Sequence, residues 1–181
     1  MKRVVLSLAA LALAAQVSTT GLAAQSKLSF GAGGGLTLPL GDFNDIAKLG
    51  WHGLAVVGYA PSAGPIGFRG DFMYAQNSID GADGKTKLAG GLVNITYAFQ
   101  SKGSIKPYLI GGLGLFNAKV DITGFGSDSE TKLAAGGGFG LKFRAGSDAS
   151  IFAESRFINV FTSDNSTNFV PLTVGIQFGT R

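Results

Sequence analysis

Past residue 25 the chain alternates between apolar and polar side chains in segments of roughly ten residues, the length of a transmembrane strand. The last segment gives the plainest case: in VPLTVGIQF (170–178), valine, leucine, isoleucine and phenylalanine occupy every second position, and proline, threonine, glycine and glutamine lie between them. Successive side chains of a β-strand point to opposite faces of the sheet. Such a strand suits lipid on one face and a polar lumen on the other, which is typical of transmembrane β-barrels.

The same pattern predicts an all-β fold, an eight-stranded antiparallel up-and-down transmembrane β-barrel. The predicted strands cover 27–38, 51–60, 67–76, 87–99, 106–121, 133–145, 150–161 and 169–179. Long polar breaks at 41–50, 77–86, 122–132 and 162–168 alternate with shorter breaks. Outer-membrane barrels have long loops outside the cell and short turns in the periplasm, so we expect the long breaks to face the exterior.

The N-terminal segment has a different character. Two basic residues at positions 2 and 3 precede an apolar run (4–15), and small residues follow up to Ala24. This order is that of a secretory signal peptide, and the run is shorter than the roughly 20 residues that cross a bilayer as a helix. We expect a cleaved signal peptide over 1–24, with cleavage after Ala23 or Ala24, and a barrel domain over 25–181 in the bacterial outer membrane.

Composition favours a membrane barrel over a soluble domain. Hydrophobic residues make up 45% of the chain and charged residues 14%, whereas soluble domains carry about 25% charged residues. Cysteine is absent, which excludes disulfides and thiolate metal sites. Loss of the two cations at positions 2 and 3 with the signal peptide lowers the formal net charge from +4 to +2. Nucleic-acid binding is therefore not expected.

Six ionisable residues inside the predicted strands fall on the face opposite the apolar one. The set comprises Arg69, Asp71, Lys142, Arg144, Glu154 and Arg156. Lipid excludes such charges, so we expect them to face the lumen and to form a neutralised salt-bridge network. The interior of an eight-stranded barrel is just wide enough for side chains to fill. We therefore expect a side-chain-filled lumen without a wide pore.

Aromatic residues lie near both ends of the predicted strands. The main positions are Trp51, Tyr59, Tyr74, Tyr97, Tyr108 and Phe178, with Phe116 and Phe152 among the others. Aromatic girdles mark the two membrane–water interfaces of transmembrane barrels. We expect these side chains on the outer surface, at the depth of the lipid headgroups.

Several segments together resemble a known family. They are the signal peptide, GGGLTLPLGDF (33–43), FAESRF (152–157) and the closing VPLTVGIQF. The chain resembles the bacterial outer-membrane β-barrel domain proteins of the broad OmpA/OmpX-like group. The resemblance implies insertion by the outer-membrane assembly machinery, guided by the amphipathic last strand.

We expect a monomer with a structural or surface-interaction role, without enzymatic activity, cofactor, catalytic residue or metal site. Its expected partners are outer-membrane lipid and lipopolysaccharide, together with an extracellular ligand bound through the loops.

Two other functions stay open. Some eight-stranded outer-membrane barrels are lipid A acyltransferases or deacylases, in which a histidine activates a serine. The lone histidine, His52, is predicted at the outer rim beside Trp51, where it can meet Ser78 and Asp80 of the next long loop. The deacylases' His-x-Ser pair is absent, since glycine and leucine follow the histidine. The other alternative is a soluble, lipocalin-like periplasmic barrel, with its apolar faces turned inward around an apolar ligand.

Overall fold

Eight antiparallel strands close into a single barrel in the computed structural model, which describes residues 27–61, 64–79, 84–122, 126–161 and 167–179. The strands are β1 (Lys27–Leu40), β2 (Gly50–Ala60), β3 (Ile66–Ser78), β4 (Gly84–Ala98), β5 (Ile105–Ile122), β6 (Gly126–Arg144), β7 (Ala149–Val160) and β8 (Thr167–Gly179), and a short helix α1 (Asp42–Ile46) follows β1. Each strand pairs with its neighbours in sequence, and β8 pairs with β1. The predicted fold class is confirmed. The predicted signal peptide lies outside the described residues.

Two of the predicted long loops differ from the structure. β5 and β6 have 18 and 19 residues and stay paired as far as Ile122 and Gly126, so most of the predicted loop at 122–132 is wrong. A strand that extends beyond the bilayer has water on both faces, and its sequence therefore lacks the alternation that identified the other strands. The predicted loop at 41–50 contains the helix α1. No helix among the described residues is long and apolar enough to cross a membrane.

Apolar side chains cover the outer surface of the barrel. Val93, Leu113 and Val174 are 74%, 67% and 61% exposed, because they occupy the outward positions of their strands. On the inward positions of β8, Thr173 and Gln177 are buried. The interior holds apolar as well as polar side chains. The apolar exterior is what differs from a soluble, lipocalin-like barrel, whose outer face would be polar.

Glycines on the inner face make room for large side chains that cross the lumen. Gly140 on β6 pairs with Tyr108 on β5, and a Cβ added to Gly140 would stand 2.4 Å from Tyr108 Cζ. Gly175 on β8 pairs with Phe152 on β7, and a Cβ there would stand 2.4 Å from Phe152 Cζ. Cores are packed too densely to accept such overlaps without a shift of the surroundings. The small and large residues on neighbouring strands therefore match one another.

We predict that Gly140→Ala destabilises the barrel. The Tyr108 ring blocks the new methyl group, and the ring is held in place by the hydrogen bond that its hydroxyl donates to Glu154. Overpacking of this kind costs about 1–3 kcal/mol. The free energy of unfolding, measured by urea titration of the barrel refolded in lipid vesicles, should fall by that amount.

The matched control is Gly53→Ala on the outer face of β2. A Cβ added to Gly53 has no atom within 4 Å, so this variant should unfold at nearly the same urea concentration as the wild type. Equal losses in the two variants would contradict the packing argument, because they would trace the effect to strand glycine in general.

Candidate functional site

Four ionisable side chains meet in the lumen, from strands on opposite walls of the barrel. On β3, Arg69 Nε lies 2.8 Å from Asp71 Oδ1, and Arg69 Nη1 lies 2.8 Å from Glu154 Oε2 on β7. The Arg156 guanidinium contacts both carboxylates, and its Nη2 lies 2.6 Å from Asp71 Oδ2. All four residues are buried. We call Arg69, Asp71, Glu154 and Arg156 the ionic cluster, and its two cations balance its two anions.

Two neutral side chains extend the ionic cluster onto β4 and β5. The Tyr108 hydroxyl donates a hydrogen bond of 2.6 Å to Glu154 Oε2, and the Asn94 amide donates one of 2.9 Å to Asp71 Oδ2. The Arg69 guanidinium carbon also lies 5.9 Å from the centroid of the Phe152 ring, within the range of a cation–π contact. Each carboxylate thus has neutral as well as charged partners, as a buried charge requires.

The outward placement predicted for Tyr108, Phe116 and Phe152 is wrong. These side chains are 6%, 1% and 1% exposed, inside the barrel. Each occupies the inward position of its strand, and a glycine on a neighbouring strand provides the space. An aromatic residue suits both a membrane interface and a core, so residue type does not decide which face of the strand it occupies. The alternation along the strand does.

Two of the predicted lumen charges lie apart from the ionic cluster. Lys142 and Arg144 occupy inward positions of β6, closer to the short-turn end than Glu154. Lys142 Nζ lies 5.8 Å from the centroid of the Tyr108 ring, and Arg144 is exposed at the rim. Both residues line a cavity at that end of the barrel.

The other predicted girdle residues lie at the two ends of the barrel. Trp51 and Tyr74, with ring centroids 5.8 Å apart, are at the long-loop end. Tyr59, Tyr97 and Phe178 are exposed at the short-turn end. Their role as membrane anchors stays a prediction.

His52 lies near the start of β2 at the long-loop end, as predicted, but its side chain is inside the barrel and not at an exposed rim. Its neighbour Trp51 is exposed, so alternation turns the imidazole inward, where it is 2% exposed. Nε2 lies 2.8 Å from Thr173 Oγ1 on β8, and Nδ1 lies 3.1 Å from Thr37 Oγ1 on β1. Ser78 is exposed at the end of β3, and Asp80 is outside the described residues. In the part of the chain that the structure describes, His52 therefore bridges three strands and has no serine beside it.

An aromatic group at the long-loop end was not anticipated. Phe116 and Phe169 are fully buried, with ring centroids 6.0 Å apart. The helix α1 brings Phe43 into the same buried apolar cluster. We call these three residues the aromatic plug. The one sequence signal for it was a single phenylalanine between two polar residues in a loop, DFN (42–44).

The closed barrel, its apolar exterior and its ionic interior define a small barrel of the outer-membrane type. The chain belongs to the outer membrane protein beta-barrel domain family, whose profile matches residues 5–178. No curated protein sequence matches the chain.

Solved structures share the fold at low sequence identity. Neisserial surface protein A (NspA) superposes with a TM-score of 0.63 at 19% identity, covering 84% of this chain and 96% of that one. Ail, the attachment invasion locus protein of Yersinia pestis, gives a TM-score of 0.61 at 18% identity, covering 86% and 99%. A major outer membrane protein from Thermus thermophilus gives 0.62 at 13% identity, with the same coverage of 86% and 99%.

We predict that Glu154→Gln destabilises the barrel strongly. The substitution keeps the shape of the side chain but leaves Arg69 and Arg156 with Asp71 as their remaining carboxylate in the ionic cluster. Removing one partner of a buried ion pair costs about 3–5 kcal/mol. Urea unfolding in lipid vesicles measures the change in the free energy of unfolding.

Two further variants test whether charge balance is the cause. Glu154→Gln combined with Arg156→Gln removes one charge of each sign, and we expect it to recover part of the stability. Glu130→Gln removes an exposed carboxylate and should change the stability by about 1 kcal/mol or less. A double variant that is less stable than Glu154→Gln alone would contradict this account.

Proposed function

We propose that the protein is an integral outer-membrane β-barrel with a structural or surface-interaction role and a lumen closed to ions. The observation that carries this proposal is the double obstruction of the lumen, by the ionic cluster and by the aromatic plug. An aqueous channel needs an interior free of side chains along its whole length. The described lumen instead holds buried side chains that bind one another across the barrel.

The outer surface supports residence in the membrane as a monomer. Its exposed apolar side chains form a continuous outward face on the described strands, which suits the hydrocarbon layer. We propose that the chain reaches the outer membrane after cleavage of the signal peptide and is inserted by the assembly machinery through its amphipathic β8. The closed ladder leaves no free edge on the described strands for pairing with a second copy.

A non-enzymatic role agrees with the environment of His52. A catalytic histidine needs access to substrate and to the group that it activates. Both ring nitrogens of His52 lie instead within hydrogen-bond distance of threonine hydroxyls in the lumen.

A basic surface near the long-loop end supports contact with lipopolysaccharide. Lys87 on β4 and Lys119 on β5 are direct cross-strand neighbours, and both occupy outward positions. The pair Val93 and Leu113, further along the same strands, is highly exposed and apolar. The lysines thus lie just beyond the apolar face, at the depth expected for headgroup phosphates. Ail has been solved with the heparin analogue sucrose octasulfate, a polyanion, which favours the same class of ligand for this surface.

We predict that the wild-type barrel gives no conductance steps in a planar lipid bilayer. Arg156→Ala combined with Phe116→Ala should open steps, because the double variant shortens one side chain in the ionic cluster and one in the aromatic plug, whereas either substitution alone leaves the other obstruction in place. Lys132→Ala, near the long-loop end and outside this cluster, is the control and should stay silent. Steps in the wild type would overturn the closed lumen.

We also predict that Lys87→Gln with Lys119→Gln reduces the lipopolysaccharide that copurifies with the barrel. Each charged contact to a phosphate contributes about 1 kcal/mol near a membrane surface, so loss of both should weaken binding roughly 30-fold. The readout is phosphate or lipid A per protein after detergent extraction. Lys132→Gln, a cation on an inward position at the same end, is the control. Equal losses in both preparations would contradict a site on the outer face.

A further inference from the structure

The short-turn end of the barrel holds a cavity of about 390 Å³. Its wall contains side chains from inward positions of several strands, among them Thr96, Ser150 and Gln177. The Gln177 amide donates a hydrogen bond of 2.7 Å to Ser29 Oγ, which orders part of that wall. Arg69 and Tyr108 lie at the inner side of the cavity, where the ionic cluster begins. A space of this size suits a small molecule, since ligand pockets usually measure about 300–1,000 Å³.

Cations dominate the lining of this cavity. Lys27, Lys106, Lys142 and Arg144 line it together. Asp148 is the one carboxylate among the described residues of the lining, and it accepts a hydrogen bond of 2.8 Å from Ser147 Oγ in the same turn. The Arg69 charge is compensated by Asp71 and Glu154. The lining therefore carries an excess of positive charge in its described residues.

The register of β5 and β6 places two of these cations directly opposite one another. Lys106 and Lys142 are cross-strand partners, and both occupy inward positions. Like charges at such positions destabilise a sheet unless a counter-charge lies between them. The Lys142 ammonium rests 5.8 Å from the Tyr108 ring centroid, so its position is partly fixed. The pair therefore presents two ammonium groups to one space.

The side chains of these lysines point into the lumen, whereas the cations of a lipid-anchoring surface point outward. Cations that bind headgroup phosphates lie on the outward positions of a barrel, as Lys87 and Lys119 do. Lys106 and Lys142 instead lie on the inner face of their strands, the face that also carries Tyr108 and Glu154 and lines the lumen. A ligand for them must enter from water through the mouth of the barrel.

We propose that this cavity binds a small, water-soluble oxyanion with more than one negative charge, of the phosphate class. The two opposed lysines bind its anionic oxygens, Arg144 and Lys27 contribute at the rim, and the hydroxyl and amide groups of the wall donate hydrogen bonds. The site opens toward the periplasm in the orientation proposed above, and only this choice of side depends on the proposed function.

Isothermal titration with inorganic pyrophosphate tests the site on the full barrel refolded in an uncharged detergent. The wild type should bind with one site per barrel, more weakly as salt is added. Lys106→Gln and Lys142→Gln should each weaken binding about tenfold, the effect of losing one charged hydrogen bond of roughly 1.4 kcal/mol. Absence of binding by the wild type would overturn the proposal.

The matched control is the double variant Lys85→Gln with Lys132→Gln. It removes two cations from the opposite end of the barrel, and its pyrophosphate affinity should equal that of the wild type. If it loses affinity as the cavity variants do, the attraction is due to net charge and the proposed site is wrong. Heat-modifiable gel migration identifies any variant that has not folded.

Nuclear magnetic resonance of the wild type gives a test that needs no variant. Pyrophosphate should shift the amide signals of Thr96, Ser150 and Gln177 and leave those of Lys87 and Lys119 in place. Shifts confined to the latter pair would overturn the proposal. A repeat in nanodiscs compares uncharged lipid with lipid that contains phosphatidylglycerol, and equal affinity supports a soluble ligand. Competition by the anionic lipid would assign the cations to headgroups instead.

Discussion

The structure depends on the closure of the backbone hydrogen-bond ladder between β8 and β1. Hydrocarbon contains no water to satisfy peptide groups, so a membrane sheet must have no free edge. The pairing of β1 with β8 runs from Ser29 opposite Gly179 to Leu40 opposite Asn168. The pairing of β7 with β8 is interrupted between Ser155 opposite Leu172 and Ile158 opposite Phe169. This stretch contains Pro171, which has no backbone N–H to donate. The strands keep one register on both sides of that gap.

Closure with eight strands fixes the width of the lumen, and this width explains the side chains inside it. Opposite walls come close enough for Arg69 on β3 to reach Glu154 on β7. A charge in this space cannot exchange its partner for bulk water, so it must be balanced where it lies. Glycines such as Gly140 then provide the volume that the long side chains need. Closure of the barrel with eight strands is thus the common cause of the charge balance in the lumen and of the glycines on its inner face.

Much of this fold could be predicted from the sequence, because lipid imposes a strict alternation. Every outward position within the bilayer must be apolar. Alternating strands such as β8 could therefore be recognised from the sequence, and the same alternation predicted that Arg69, Asp71, Glu154 and Arg156 point inward. The faces of Tyr108 and Phe116 did not follow, since their strand carries apolar residues on both faces. The burial of Phe43 depends on the helix α1 and on Phe169, which lies far away in sequence. Such contacts leave no periodic signal.

Charge is distributed unevenly along the lumen. It is balanced in the ionic cluster, which stabilises the fold, and unbalanced at the short-turn end, where we propose that a ligand binds. The ionic cluster contains equal numbers of cations and anions, and each of its carboxylates has several donors. It has little capacity left for a ligand. The mouth at the short-turn end has the opposite character, because Lys106 and Lys142 face each other across one pair of strands. A barrel that needed only stability would gain from an acid at either position. Two lysines face each other there, beside a cavity whose described lining holds a single carboxylate, and a bound anion would complete this arrangement.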